Sequence, residues 1–223
     1  DLVFNAIFEN KNKLNHEYYG SEYACVRDEF RVFNRIKQKK KFSKIAITLG
    51  GVDKKNNSLR ILSIIRKFGL LKNIKIEIIL GIGFKHKEKI QRFSREMNDL
   101  GYDIHIIEKA ELLSKYLIDC DYVITSNGRT VFEVASLGIP LISLSVNKRE
   151  RQHNFVVNKK VGYHIDFTQK ESELMLKKYI KQMKKKENRE KFISNLQKQN
   201  LREGIDKVTS MILTRYESEK LFV

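Results

Sequence analysis

The sequence contains no tryptophan, one proline and only two cysteines. Cys25 and Cys120 lie far apart without C-x-x-C spacing, which argues against a disulfide framework or a cysteine-built zinc site and predicts reduced, buried thiols. No apolar run approaches the roughly eighteen residues of a membrane-spanning helix. The opening "DLVFNAIFEN" has neither the basic flank nor the small-residue cleavage site of a secretion signal, so a soluble, cytoplasmic protein is expected. Ser-His-Asp, P-loop and H-E-x-x-H patterns are missing. His16, His86, His105 and His164 are scattered, with no metal spacing and no neighbouring nucleophile motif, so no metal or cofactor is expected. Acidic residues are scarce as well: 27 Asp and Glu against 44 Lys and Arg leave a formal charge of +17. That excess fits nucleic acid, an anionic membrane or a phosphate-bearing ligand without choosing among them. Its blocks, "RIKQKKKFSK" at 35–44 and "KKYIKQMKKKENREK" at 177–191, read as solvated faces. They lack interleaved aromatics, which argues against a nucleic-acid surface.

What is present is 223 residues with 41% hydrophobic content, enough for a substantial core. Strand-like and helical patterns alternate. "KIAITL" ends at Gly50-Gly51, and "NNSLRILSIIRKFGL" follows with apolar residues at helical spacing, Asn57 or Ser58 as its cap and Gly69 as its end. "IKIEIIL", "KEKIQRFSREMNDLG", "YDIHII", "AELLSKYLIDC", "DYVITS", "TVFEVASLG" and "IPLISLS" continue the alternation. "KRERQHNFVVNKKVG" reads as one helix and "YHIDF" as a last strand. Short apolar strands separated by helices predict right-handed crossovers, hence an α/β, doubly wound, Rossmann-like parallel sheet over residues 42–169. Residues 170–223 read as helices packing on it. The last of these carries Ile205, Val208, Met211, Ile212 and Tyr216 near one face, suited to packing on the domain or to forming a homodimer. Residues 1–41 fall outside the alternation and read as the trailing segment of a preceding unit, with a strand in "DLVFNAIFE".

In an open parallel sheet, ligands bind beyond the carboxyl ends of the strands. Three loops there carry glycine: "LGGVDKKN", "LGIGF" and "SNGRT". Gly50 and Gly51 let the backbone approach a ligand. Ser126, Asn127 and Gly128 form a turn that leads into a helix whose first amides attract an anion, and Arg129 adds a forked cation suited to phosphate. Thr130-x-x-Glu133 has capping-box spacing. Glu133 also suits sugar hydroxyls, as a strong acceptor one turn inside the helix.

"TLGGVD", "CDYVITSNGRTVFEVASLGIPLISL" and "NKRERQHNF" together resemble the carboxyl-terminal, nucleotide-binding domain of GT-B nucleotide-sugar enzymes. Within these the chain is most similar to the UDP-sugar hydrolases of pseudaminic acid biosynthesis and the related spore-coat polysaccharide proteins. The glycosyltransferase that makes lipid II is a more distant relative, and "GSEYACVRDEFR" at 20–31 resembles the entry into the second domain of the hydrolases. The resemblance implies a donor diphosphate on Gly50, Gly51, Ser126, Asn127, Gly128, Arg129 and Thr130, with the ribose on Glu133. It places Ile107 and Glu108 beside the base, and Asn147, Gln152 and His153 on the sugar. The implied partner is a UDP- or CMP-type nucleotide-sugar, and the implied activity is hydrolysis in nonulosonic acid or surface polysaccharide biosynthesis. The alternatives are a glycosyltransferase donor domain or a docking domain fused to an acylneuraminate cytidylyltransferase. The resembled hydrolases have a turn richer in glycine and serine than one carrying Asn127 and Arg129, so the nucleotide stays open. Their catalytic histidine lies in an amino-terminal GT-B half with no match here, so no residue of this chain is assigned as catalytic.

Overall fold

The computed structural model describes residues 1–8, 10, 12–33 and 41–220, the side chains of 219 and 220 excepted. Near the start, β1 (Val3–Asn5) and β2 (Glu17–Tyr19) pair in parallel as a separate two-stranded sheet. The main sheet has six strands: β3 (Lys44–Thr48), β4 (Lys75–Leu80), β5 (Asp103–Glu108), β6 (Tyr122–Ser126), β7 (Leu141–Ser145) and β8 (Gly162–Asp166). Their order is β5-β4-β3-β6-β7-β8, and every neighbouring pair is parallel. β3 and β7 are buried at every position, as strands covered on both faces are. The order reverses between β3 and β6, the switch point above which a doubly wound sheet opens its crevice.

Helices cover both faces. On one side Ile45, Ile47, Ile76 and Ile78 pack with Ile61, Leu62 and Ile65 of α2 (Asn57–Lys67) and with Leu176, Ile180 and Met183 of α8 (Ser172–Lys184). α3 (Lys87–Asp99) adds Ile90 and Met97 to that side. The opposite face joins Ala46, Val123 and Leu141 to Phe30 of α1 (Glu29–Val32), Leu117 of α4 (Leu113–Leu117) and Val131 and Val134 of α5 (Thr130–Ser136). Burying these aliphatic side chains supplies about 1.5–3 kcal/mol each. Gly69 takes positive φ where α2 ends, as the sequence predicts, and Gly101 and Gly138 do the same after α3 and α5.

Two local expectations are corrected. Neither Asn57 nor Ser58 caps α2. Both lie inside it, and the Asp53 carboxylate takes their amides, each at 2.8 Å. The stretch "KRERQHNFVVNKKVG" is not one helix but two short ones, α6 (Lys148–Arg151) and α7 (Phe155–Asn158). The carbonyls of Glu150 and His153 accept from the Asn127 side chain, each at 2.8 Å, and that of Glu150 also accepts the His153 amide at 3.2 Å. The thiols also differ from expectation, since Cys25 is exposed and Cys120 half-buried.

Most of the block at 35–44 lies outside the described residues. In the block at 177–191, Lys178, Lys181, Lys184 and Lys185 are exposed while Arg189, on α9 (Lys186–Leu196), is buried. Arg189 caps the end of α8 by donating to the Met183 and Lys184 carbonyls at 2.7 and 2.9 Å, and its guanidinium lies over Phe42. It stands 4.0 Å from Asp121, whose carboxylate receives the amides of Ser43 and Lys44 at 2.7 and 3.0 Å. This buried charge cluster sits at the amino ends of β3 and β6, opposite the crevice.

α10 (Gly204–Lys220) docks its first half on residues 21–23 and 201–203. Arg31 grips Asp206 through two oxygens at 2.8 and 2.6 Å. Of the apolar residues expected on one packed face, Ile205, Val208 and Met211 are half-buried, whereas Ile212 and Tyr216 are exposed together with Leu213.

Candidate functional site

The loops after β3 and β6 face each other across the switch point. A Cβ added to Gly50 would lie 3.5 Å from Ser126 Oγ, and one added to Gly51 would meet nothing within 4 Å. Gly50 takes φ +75, which glycine adopts at little cost. The loop after β4 braces this turn: the Gly83 amide donates to the Gly51 carbonyl at 2.9 Å. A Cβ on Gly81 would collide with the Gly50 and Gly51 carbonyls. Ile82, between these glycines, is 98% exposed at the rim.

Across from them the chain leaves β6 through Ser126–Gly128 and enters α5. Among the described residues, the amides of Gly128, Arg129 and Thr130 have no hydrogen-bond acceptor. Gly128 and Thr130 are half-buried and the Arg129 side chain is exposed. α5 has only seven residues, so its dipole is short and the free amides are the main attraction for an anion.

The expected capping box does not form, because Arg129 occupies the N-cap position without a side-chain bond. The Glu133 carboxylate instead accepts from Arg27 Nε at 2.8 Å. Arg27 also pairs with Glu29 at 2.9 Å, and Glu29 accepts the Ser114 amide at 2.8 Å at the start of α4. Glu133 therefore shares one carboxylate oxygen with the segment before the main sheet. Arg27 is not among the residues the motifs mark out, yet it holds Glu133. The available signal was a forked cation in "ACVRDEF", but its target lies 106 residues away.

Three residues expected to contact ligand also hold the protein's own backbone. Asn127 and His153 are only 1% and 2% exposed. The Asn127 amide reaches the Glu150 and His153 carbonyls, and His153 Nδ1 donates to the Asn127 carbonyl at 3.1 Å. Burial pushes the His153 pKa below the ordinary histidine value, against the hydrogen bond to Asn127, so the ring is neutral at neutral pH. Asn147 is the N-cap of α6, accepting the Glu150 amide at 2.9 Å, while Glu150 returns to the Val146 amide at 2.9 Å. The N-x-x-E spacing in "NKRE" was the readable sign of this cap. Gln152 is exposed and lines a cleft of about 80 Å³ with Ser21, Glu22, Asn154 and Lys159. Ile107 and Glu108 end β5 at the sheet edge, two strands from the switch point. Ile107 packs on the α4 and α5 side, while Glu108 turns toward α3 and binds Lys87 and Gln91, each at 2.8 Å. Lys87 lowers the Glu108 pKa.

Among the described residues, no group of three or more His, Cys, Asp or Glu is placed to hold a metal, and no helix is long and apolar enough to cross a membrane. A larger cavity, about 790 Å³, lies away from the crevice between α10 and the first two strands, lined by Leu2, His16, Tyr18, Met211 and Arg215.

No protein-family model matches the chain. The uncharacterized protein MJ1062 of Methanocaldococcus jannaschii is 28% identical over 167 residues, which cover 68% of this chain and 34% of the relative. The chain thus spans about a third of the length of that curated relative. Among solved structures, MurG of Acinetobacter baumannii matches with a TM-score of 0.70 and 15% identity over 96% of this chain and 60% of its own. WaaG, a glycosyltransferase involved in lipopolysaccharide biosynthesis, matches at 0.59 and 13% identity over 93% and 62%. A TarM mutant of S. aureus, solved in complex with UDP among other ligands, matches at 0.57 and 17% identity over 97% and 43%. The six-stranded parallel sheet and these likenesses together establish a Rossmann-like α/β fold of the kind found in GT-B structures.

Proposed function

We propose that this chain is the nucleotide-sugar-binding part of a glycosyltransferase-like enzyme, working in the cytoplasm in surface polysaccharide biosynthesis. The observation that carries this reading is the switch point itself. Gly50 and Gly51 face Ser126 across the crevice, and the free amides of Gly128, Arg129 and Thr130 stand beside an exposed guanidinium. Such an arrangement suits the two phosphates of a nucleoside diphosphate, with Arg129 closing on them. Glu133, one turn further, would take the ribose hydroxyls, and Gln152 would take the sugar. Asn127, His153 and Asn147 serve as framework in this reading. The TarM complex favours UDP as the nucleotide to try first.

Chemically, charge building on the departing diphosphate would be met by preorganised amides and by Arg129. A group that activates the attacking hydroxyl would come from an amino-terminal GT-B half. In that arrangement residues 1–41 are its trailing segment, residues 42–169 the donor domain and residues 170–223 the helices packed on it. The glycosyltransferase reading is preferred to hydrolysis because WaaG is itself a glycosyltransferase, whereas the pseudaminic-acid specialisation rests on motif likeness alone.

UDP at a hundred times its dissociation constant should stabilise the protein by about 2.7 kcal/mol, raising its melting temperature by roughly 5–10 °C. Arg129→Ala should remove most of that rise while leaving the unliganded melting temperature within about 1 °C, as expected of an exposed substitution. If UDP, CMP and UDP-sugars all leave the melting temperature unchanged, the reading is wrong.

A further inference from the structure

Asn127 and His153 do more than fill space. Asn127 is held from three sides. Its amide nitrogen donates to the Glu150 carbonyl at 2.8 Å, to the His153 carbonyl at 2.8 Å and to Ser145 Oγ at 3.3 Å. Its backbone carbonyl accepts from His153 Nδ1 at 3.1 Å, and its own amide extends the sheet by donating to Leu144 at 2.9 Å. The His153 ring lies 4.9 Å from that of Phe132 on α5 and is tilted against it. Ser145 continues the chain of contacts to His164 Nε2 at 3.3 Å, and His164 Nδ1 meets Ser143 Oγ at 2.9 Å. One side chain of the turn after β6 therefore fixes the carboxyl end of α6, and one side chain after α6 fixes the turn.

This connection is expensive for what it contributes to stability. Asn127 Oδ1 and His153 Nε2 are buried without partners among the described residues, and unpaired buried polar atoms are rare in native cores. An apolar pair of similar volume would fill the same space without that penalty. The polar pair does what an apolar pair cannot. It ties two backbone segments in a single register, and its bonds are lost if either segment turns.

We propose that Asn127 and His153 are positioning residues that form a latch between the turn entering α5 and the loop carrying α6, so that a nucleoside diphosphate bound at the turn orders residues 146–154. This rests on the nucleotide-binding reading above. Neither residue touches the ligand, and each acts through the backbone it holds. The latch would make the loop that carries Gln152 respond to whether the phosphates are in place.

Amide hydrogen exchange followed by mass spectrometry, with and without saturating UDP, tests this directly. In the unaltered protein, UDP should slow exchange in both segments 127–133 and 146–154, by about tenfold in the second. In Asn127→Ala and His153→Leu, the slowing at 127–133 should persist while that at 146–154 falls below about fivefold, the low end of typical coupling. His153→Asn, which keeps a donor near the Nδ1 position, should recover part of the response. A merely structural role would lower melting temperature and raise exchange in both states without uncoupling the two segments. Should Asn127→Ala fail to fold, Ser145→Ala, which removes one supporting bond, carries the same comparison in a milder form. Slowing at 127–133 with no change at 146–154 in the unaltered protein would overturn the latch, as would a response in the variants equal to that of the parent. No slowing at either segment would overturn the nucleotide reading and the latch with it.

Discussion

Replacing Asp121 with alanine should cost about 3–5 kcal/mol, a drop on the order of 10 °C in melting temperature. The carboxylate is 5% exposed and serves three groups at once. It accepts the amides of Ser43 and Lys44, and it faces the buried Arg189 guanidinium at 4.0 Å. Alanine would leave two amides at the start of β3 unpaired and a cation buried without its counter-charge, both expensive in a low-dielectric interior. Arg189→Met should cost less, because Asp121 keeps its two amide donors and methionine can refill the space beside Phe42. Denaturant unfolding of both single variants and the double variant gives the coupling between the two charges. A loss under about 1 kcal/mol for Asp121→Ala would show that the pair is solvated and the cluster is not a structural base.

The second large effect is expected at Gly81. A methyl group there would press into the carbonyls of Gly50 and Gly51, and these are backbone atoms of a braced turn that cannot simply rotate away. Gly81→Ala should therefore push the β4 loop off the β3 loop, cost about 1–3 kcal/mol as overpacking does, and abolish the stabilisation by UDP. Gly51→Ala is the informative partner. Its added methyl meets nothing within 4 Å, so stability should stay within about 0.5 kcal/mol while UDP binding weakens, because the methyl occupies space meant for phosphate. If Gly51→Ala binds UDP as well as the parent does, the ligand does not approach that turn.

These contrasts show where the sequence could be read and where it could not. The strands and most helices were legible because burial on two faces of a parallel sheet writes itself as short Ile- and Val-rich runs, and helices such as α3 repeat their apolar residues at the right interval. Gly50 in the β3 loop and Gly138 at the end of α5 were legible for the same local reason, since both occupy backbone angles that other residues resist. Side-chain destinations were not. Asp53 could have been suspected as the cap of α2, being only four residues before Asn57. Nothing in the local pattern says that Glu133 meets Arg27 across 106 residues, or that Asn127 turns inward to a segment 23 to 26 residues away. A polar residue in a ligand-facing turn looks the same in the sequence whether it holds the ligand or holds the turn. The break between α6 and α7 was hidden for the same reason: it coincides with bonds arriving from Asn127, elsewhere in the chain.

The grip of Arg31 on Asp206 spans 175 residues, and closing so long a loop carries a high entropic cost before any contact is rewarded. It is expected among the last events of folding. Arg27 lies four residues before Arg31, so Glu133 is expected to gain its partner after the six strands are assembled. A refolding experiment that follows UDP affinity alongside burial of the tyrosines should see the sheet arrive first and binding competence trail behind it.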